Sequence, residues 1–243
     1  MSPGRPGAKV RRAKGQLSLV FPNRWGGARR GAGRKPGPRP KTAHRIRPVH
    51  RGWQPVHVTL RSGFRKLRSE RIFGALTRAL RRSLQRSPEQ FRVLQFSIQY
   101  DHVHLIVEAA SKQALSRGMQ GLSVSIARRV NRLLGRQGRF WADRFHARAL
   151  ENPRSVRSAL VYVLANFRKH ATRRYPAGID RFSSAPLFDG WRLTPRQRTA
   201  IDQIAAQVFD SLPVVGQART WLARVGWRRH GEISLTEEPS RTG

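Results

Sequence analysis

The first 52 residues of the chain contain 15 Lys and Arg residues and no acidic residue, because the first acidic residue is Glu70. This stretch is also rich in Gly and Pro, most of all at residues 25–41. Such a composition cannot bury enough apolar surface to offset the entropy lost on ordering, so residues 1–52 are predicted to form a disordered basic arm. The folded domain must therefore be built from residue 53 onward.

The charge of the whole chain predicts an acidic partner. Its 243 residues include 49 Lys and Arg against 13 Asp and Glu, a formal net charge of +36. A compact body with so much like charge repels itself unless a polyanion binds it, and nucleic acid is the usual one. The candidates for DNA contact are Arg29, Arg30, Arg34 and Lys35 in the arm and Arg128, Arg132 and Lys169 in the folded part. A nonspecific basic tail explains the arm as well as a phosphate-seeking segment does.

Three further features limit the class of protein. The chain has no cysteine, which excludes disulfides and thiolate metal sites. No apolar run approaches the roughly 20 residues that a membrane-spanning helix needs. The basic start lacks the apolar core of a signal peptide, so an intracellular protein is expected.

From residue 53 the chain alternates between strand and helix patterns. Strand patterns lie at residues 54–61, 91–100, 102–109 and 138–150, and helical spacing lies at 67–85, 113–134 and 152–170. This order predicts an α+β domain with a mainly antiparallel sheet covered by helices. Residues 171–243 are nearer to neutral charge than the rest of the chain. Within them, residues 191–243 are predicted to form a C-terminal extension with one helix that opens at Thr194, followed by a polar tail.

Two histidines stand one residue apart in the run DHVHLIVEA, residues 101–109. Because strand side chains alternate, His102 and His104 share a face with Ile106 and Glu108, while aliphatic residues occupy the other face. Two imidazoles about 6 to 7 Å apart along a strand can converge on one divalent ion. Histidines bonded to carbonyl groups or phosphates explain the pattern too, so a metal site needs a third ligand elsewhere.

The third predicted helix offers both a further ligand and a nucleophile. Tyr162 and Asn166 lie four residues apart on one border of its apolar stripe, about 40° apart around the helix axis. A tyrosyl hydroxyl attacks a phosphodiester only where a neighbouring cation or metal polarises the phosphate. Taken from this helix alone, Tyr162 is as well explained as an amphipathic residue at a helix border.

Taken in order, these segments resemble the single-tyrosine HUH transposases, in particular the REP-associated tyrosine transposases. The resemblance covers about residues 53–190, which we assign as the catalytic domain. It is carried by DHVHLIVEA, LSRGMQGL with ARRVNR, GRFWADRFHARAL, ALVYVLANFRKH and SSAPLFDGW. The His-hydrophobe-His motif of the family matches at residues 102–104, and its Y-[IV]-x-x-N motif matches at Tyr162 and Asn166.

The resemblance implies a ferredoxin-like sheet of about four to five strands, a homodimer, and hairpin-forming single-stranded DNA as the substrate. It also implies Mg²⁺ or Mn²⁺ held by His102, His104 and the amide of Asn166, although ligand softness alone favours Mn²⁺. Tyr162 would attack the scissile phosphate to give a 5′-phosphotyrosine link and a free 3′-hydroxyl. We accordingly expect a cytoplasmic, nucleoid-associated protein of the prokaryotic type, with no membrane partner and no small-molecule substrate.

Two departures from the family pattern and two rival classes stay open. Residues 166–170 read NFRKH where many relatives have Asn-Pro-Val, so the end of that helix is expected to differ in shape, and the basic arm lies outside the common core. A domesticated DNA-binding protein with the same fold would need no catalysis. A two-histidine phosphoesterase is suggested by HVTL at residues 57–60, but His104 stands where the hydroxyl of its second motif belongs. His146 is expected to have a structural role.

Overall fold

Four antiparallel strands form the central sheet of the protein. The structure is a computed structural model that describes residues 50–170, 178–210 and 212–239, without the side chains of Lys169 and His170. The sheet has the order β2-β3-β1-β4. Its strands are β1 (Val56–Arg61), β2 (Phe91–Ile98), β3 (His102–Ala109) and β4 (His146–Ala149). The predicted arm at residues 1–52 lies outside the described residues except for residues 50–52.

Two helices cover the aliphatic face of this sheet. They are α1 (Glu70–Arg86) and α2 (Lys112–Leu133), which connect β1 to β2 and β3 to β4. Each begins at a serine, Ser69 or Ser111, whose side chain accepts a hydrogen bond from a backbone N–H of the first turn. The side chains of Val103, Leu105 and Val107 pack beneath these helices. The predicted α+β, ferredoxin-like arrangement is therefore confirmed, with four strands in the sheet.

A third helix, α3 (Pro153–Ala165), covers the opposite face. Asn152 and Ser155 form a reciprocal capping box at its start, as the Asn-Pro pair predicts. The apolar stripe of α3 packs on Leu94 and Ile106 of the sheet. The helix was predicted to reach residue 170, but from Asn166 to His170 the chain is a tighter 3₁₀ helix.

The fourth strand is shorter than its sequence pattern predicts. Residues 138–150 alternate in a strand-like way, but only His146–Ala149 pair with β1. Trp141 forms an isolated bridge with Ser62, and Gly138 has a φ of 83°. The ladder ends at the pair of Thr59 and His146 although β1 continues to Arg61. Four residues lie between Trp141 and His146 but only two between Thr59 and Ser62, so this part of the chain leaves the regular ladder.

Residues 182–184 close the outer edge of β2. The backbone N–H of Ile98 donates to the carbonyl oxygen of Phe182 at 2.9 Å, and the N–H of Ser184 donates to the carbonyl oxygen of Phe96 at 2.9 Å. The side chain of Ser184 accepts a further bond from the N–H of Phe96 at 2.8 Å. An exposed sheet edge is open to pairing with other chains. Residues 182–184, which include the start of the SSAPLFDGW segment, therefore cover this edge of the sheet.

A buried ion pair fixes this cover to the domain. Arg68 donates to both carboxylate oxygens of Asp180, at 2.9 and 2.7 Å, and to the carbonyl oxygen of Ile98 at 2.7 Å. Asp180 is fully buried and also accepts from the backbone N–H of Phe182. The bidentate geometry and the additional bonds satisfy the carboxylate that burial has desolvated.

Many of the remaining described residues pack against α3, whereas Phe209 and Val214 join the core beneath α1 and α2. The remaining residues form α4 (Pro195–Val208), α5 (Trp221–Arg224), a 3₁₀ helix (Gly226–His230) and a two-stranded parallel pair, β5 (Trp191–Arg192) with β6 (Ile233–Ser234). Glu108, which is 2% exposed, accepts bonds from the backbone N–H groups of Arg219 and Thr220 and pairs with Arg92 at 3.3 Å.

The domain boundary at residue 190 stays a prediction. Within the described ranges, no helix is long and apolar enough to cross a membrane.

Replacement of Asp180 by Ala should strongly destabilise the fold. It leaves the Arg68 guanidinium without its partner in a largely buried place, which typically costs about 3 to 5 kcal/mol. The exposed pair between Arg228 and Asp189, at 2.9 Å, supplies a matched control, because Asp189→Ala should cost less than about 1 kcal/mol. Urea denaturation followed by circular dichroism measures both free energies of unfolding. Similar losses in the two variants would contradict the structural role given to Asp180.

Candidate active site

A row of polar side chains crosses the sheet on the face that α3 covers. Thr59 on β1 is paired with His104 on β3 and with His146 on β4, and His104 is paired with Ser97 on β2. Residues paired across antiparallel strands point to the same face. His102, two residues before His104, lies on this face as well. The alternation in DHVHLIVEA therefore places both histidines away from the aliphatic core.

Helix α3 brings Tyr162 into contact with this row. The Tyr162 ring lies 5.0 Å from the His104 ring and 5.5 Å from the His57 ring, measured between centroids. The rings of His102 and His104 are 4.7 Å apart. His104 is 3% exposed, whereas His102 and Tyr162 are partly exposed. Three of the predicted site residues thus form one cluster beneath α3, joined by His57.

His57 is a member of the cluster that the sequence did not predict as a site residue. Its Nε2 lies 3.2 Å from Nδ1 of His104, and the two ring centroids are 5.2 Å apart. Burial, together with the nearby Arg148 guanidinium, lowers the pKa of His57 from 6.5 to about 4. His57 is therefore neutral near pH 7. The alternation in VHVTL puts His57 and Thr59 on one face, but the pattern does not say that β1 lies beside β3.

Both candidate metal ligands are hydrogen-bonded through Nδ1. Nδ1 of His102 lies 2.7 Å from Oδ1 of Asp101, and this bond is the main cause of a lowered pKa at Asp101. Nδ1 of His104 lies 3.1 Å from Oγ1 of Thr59 in addition to its contact with His57. Metal-binding histidines usually have their second ring nitrogen bonded to a carboxylate or another protein group in this way. Nε2 is then the nitrogen of each ring that would bind a metal.

The donor set fits a divalent cation bound by mixed ligands. In the parts of the chain that the structure describes, no group of three or more His, Cys, Asp or Glu could hold a metal ion. A metal on His102 and His104 therefore needs an amide, water or phosphate oxygen as a further ligand. Asn166 is 2% exposed and lies one turn after Tyr162, where α3 changes to the 3₁₀ helix. Its role as the amide ligand stays a prediction.

Two of the predicted DNA contacts, Arg128 and Arg132, lie apart from this cluster. Arg128 and Arg132 are exposed on α2, which covers the opposite face of the sheet from α3. Lys169 lies in the 3₁₀ helix after α3, but its side chain is outside the described structure. Arg29, Arg30, Arg34 and Lys35 belong to the arm, which is outside it too. The exposed His146 shares the face of His104, and its predicted structural role stays a prediction.

Comparison with known proteins shows what the segment that holds this cluster is similar to. Residues 56–166 match the family described as "Transposase IS200 like", and the matched region includes His102, His104, Tyr162 and Asn166. This match confirms that the segment resembles the IS200-like transposases, as the sequence indicated. A solved structure of a REP-associated tyrosine transposase bound to a REP hairpin is similar to this chain, with a TM-score of 0.46 and 14% identity over 74% of this chain and 93% of that one. No curated protein matches the chain.

The lowered pKa of His57 predicts a loss of stability in mild acid. The unfolded chain binds a proton at His57 with a pKa near 6.5 and the folded protein only near 4, so the free energy of unfolding falls as the pH drops through this range. Between pH 7 and pH 5 this residue should account for about 2 kcal/mol. A His57→Gln variant should lose that part of the pH dependence in urea denaturation, whereas His146→Gln on the exposed part of β4 should keep it. A wild-type pH dependence in His57→Gln would refute the buried neutral state.

Proposed function

We propose that the protein cleaves and rejoins single-stranded DNA through a covalent bond between DNA and Tyr162. The observation that carries this proposal is the contact of Tyr162 with His104, at 5.0 Å between ring centroids, beside the His102 and His104 pair. A nucleophilic hydroxyl and two metal-binding imidazoles are the groups that metal-assisted phosphodiester cleavage needs. The match of residues 56–166 to IS200-like transposases supports the same chemistry.

In the proposed reaction, one phosphodiester replaces another. A divalent cation on His102, His104 and Asn166 would polarise the scissile phosphate, and imidazole ligands favour Mn²⁺ over Mg²⁺. The Tyr162 oxygen loses its proton and bonds to phosphorus, while the bond from phosphorus to the 3′-oxygen breaks and that oxygen takes up a proton. The products are a 5′-phosphotyrosine and a free 3′-hydroxyl. Because the same number of phosphodiester bonds exists before and after, the 3′-hydroxyl of another end can reverse the step and join the strands.

Five exposed arginines form a groove between α1 and α2 that fits the DNA backbone. The groove encloses about 690 Å³, and no acidic or aromatic residue lines it. Within the described part of the chain, none of these five arginines forms a salt bridge. They are Arg82, Arg86, Arg117, Arg128 and Arg132. Single strands usually bind to grooves where aromatic side chains stack on bases, whereas phosphate contacts alone suffice for a duplex backbone. We therefore assign the groove to a double-stranded stem.

The sheet separates this groove from Tyr162, so the two surfaces have different tasks. The groove arginines lie over the aliphatic face, and the histidines and Tyr162 lie beneath α3 on the other. From Arg117 to Arg132, α2 extends about 22 Å, which is enough to contact several phosphates of one strand. The groove would hold a hairpin stem, while the single-stranded flank reaches the cluster. A protein that acts on this substrate would lie with the nucleoid in a prokaryotic-type cytoplasm, and the family resemblance implies a homodimer.

Replacement of Tyr162 by Phe should abolish the covalent adduct. Phe keeps the ring packing against His104 but removes the oxygen that bonds to phosphorus. The experiment incubates the full chain with 5′-flanked hairpin oligonucleotides and Mn²⁺ or Mg²⁺, and follows the denaturant-resistant protein–DNA adduct on a gel. Tyr100→Phe is the matched control, because Tyr100 is exposed in the turn before β3 and should leave adduct formation unchanged. An adduct that persists in Tyr162→Phe would assign the nucleophile to another residue.

The rival function is DNA binding without catalysis, and the same experiment separates the two. A binding-only protein would still shift the hairpin in a mobility-shift assay, but it would form no covalent adduct with DNA in the presence of either metal. That result would favour a domesticated DNA-binding protein with the transposase fold.

Removal of the groove arginines should weaken hairpin binding without changing the chemistry. The triple variant has Arg117, Arg128 and Arg132 replaced by Gln. A plot of log binding constant against log salt concentration has a negative slope, and its steepness should decrease by up to about 2.7, because each lost duplex phosphate contact removes about 0.9. At saturating DNA the rate of adduct formation should match wild type. The control replaces the exposed Arg154, Arg196 and Arg198 with Gln, which makes the same change in net charge on other surfaces. Equal slopes in the two triple variants would contradict the assignment of the groove.

A further inference from the structure

His57 and Thr59 contact the candidate metal site from β1, although neither belongs to the two motifs of the family. Nε2 of His57 and Oγ1 of Thr59 lie 3.2 and 3.1 Å from Nδ1 of His104. At the start of β3, Asp101 contacts Nδ1 of His102 at 2.7 Å. His102 and His104 are therefore both held through Nδ1, but by different partners.

The direction of one hydrogen bond decides whether His104 can bind a metal through Nε2. A neutral imidazole carries one N–H and one lone pair on its two nitrogens. When His104 carries its proton on Nδ1 and donates it to Nε2 of His57, the lone pair on its own Nε2 can bind a cation. When His57 is the donor, His104 carries its proton on Nε2 and cannot bind a cation there. The hydroxyl of Thr59 can donate or accept a hydrogen bond, so it can bond to Nδ1 of His104 in either arrangement.

We propose that His57 is a positioning residue that holds His104 in the tautomer whose Nε2 binds the divalent cation, while Thr59 holds the same ring in place in either tautomer. This inference rests on the proposed function and names a residue on which its metal site depends. Removal of such an outer partner typically lowers metal affinity 10- to 100-fold. A histidine that only filled space beneath α3 would change stability and leave the metal affinity of the folded protein unaltered.

The test is a Mn²⁺ titration of the full chain, in which the free ion is followed by electron paramagnetic resonance. His57→Phe removes the acceptor and should raise the apparent Kd for Mn²⁺ 10- to 100-fold, whereas His57→Asn keeps a polar acceptor and should lose less. Thr59→Val keeps the size of the side chain and supplies a second variant, with a smaller loss expected. His50→Phe is the matched control, because His50 also contacts β3, at the carbonyl oxygen of Ala109, but at the opposite end of the strand from the site. It should bind Mn²⁺ as the wild type does.

The tautomer of His104 and the number of histidine ligands can also be measured on the wild-type protein, so this test does not depend on whether a variant folds. A long-range ¹H–¹⁵N spectrum should show His104 protonated on Nδ1, and pulsed electron paramagnetic resonance of bound Mn²⁺ should show two coordinated imidazoles. Protonation on Nε2 overturns the inference, and three coordinated imidazoles would make His57 a ligand instead.

The outcomes for metal binding and for DNA cleavage are separable. Equal Mn²⁺ affinity in wild type and His57→Phe refutes the role of His57. A wild type that forms the Tyr162 adduct but does not bind Mn²⁺ also refutes it and leaves strand cleavage standing. A selective loss of Mn²⁺ affinity in His57→Phe supports the inference even where no DNA adduct forms, and in that case only the proposed function fails.

Discussion

The antiparallel pairing of β1 with β3 is the constraint on which both the core and the site depend. It sets Val58 opposite Leu105 and Thr59 opposite His104. Because side chains alternate, the first pair packs beneath α1 and α2, while the second pair contributes to the polar row beneath α3. A slip of one residue in this register would turn the histidines of one strand into the apolar core. The burial of Val58 and Leu105 therefore also fixes the relative position of His57, Thr59 and His104.

The parts of the fold and site that depend on short-range periodicity could be predicted from the sequence. The two-residue period of β3 puts His102 and His104 on one face, and the helical period of α3 puts Tyr162 and Asn166 on one border. Both periods are properties of a single element, so they need no knowledge of its neighbours. The order of elements also gave the fold class, because few packed arrangements accommodate it.

The features that depend on which elements lie side by side could not be predicted in this way. His57 became a member of the cluster only because β1 lies between β3 and β4, and no local pattern specifies that order. Residues 138–150 look like one strand, yet the ladder with β1 stops at His146 and its register is shifted by two residues at Trp141. Arg128 looks like any exposed helical arginine in the sequence. Its place in a groove depends on the packing of α1 against α2, on the face opposite to Tyr162.

The distribution of charge pairs separates the basic residues that stabilise the fold from those available to DNA. Eight of the 13 acidic residues form salt bridges with residues that the structure describes. The buried ones, Asp180 and Glu108, fix the cover of β2 and the C-terminal residues to the sheet. The groove arginines have no such partners among the described residues, so their positive potential is uncompensated until a polyanion binds. Exposed charges of this kind add affinity that salt screens, whereas the buried pair of His57 and His104 is largely shielded from that screening. The affinity for DNA should consequently depend on salt more strongly than the rate of the chemical step does, because the groove arginines and the histidine cluster lie on opposite faces of one sheet.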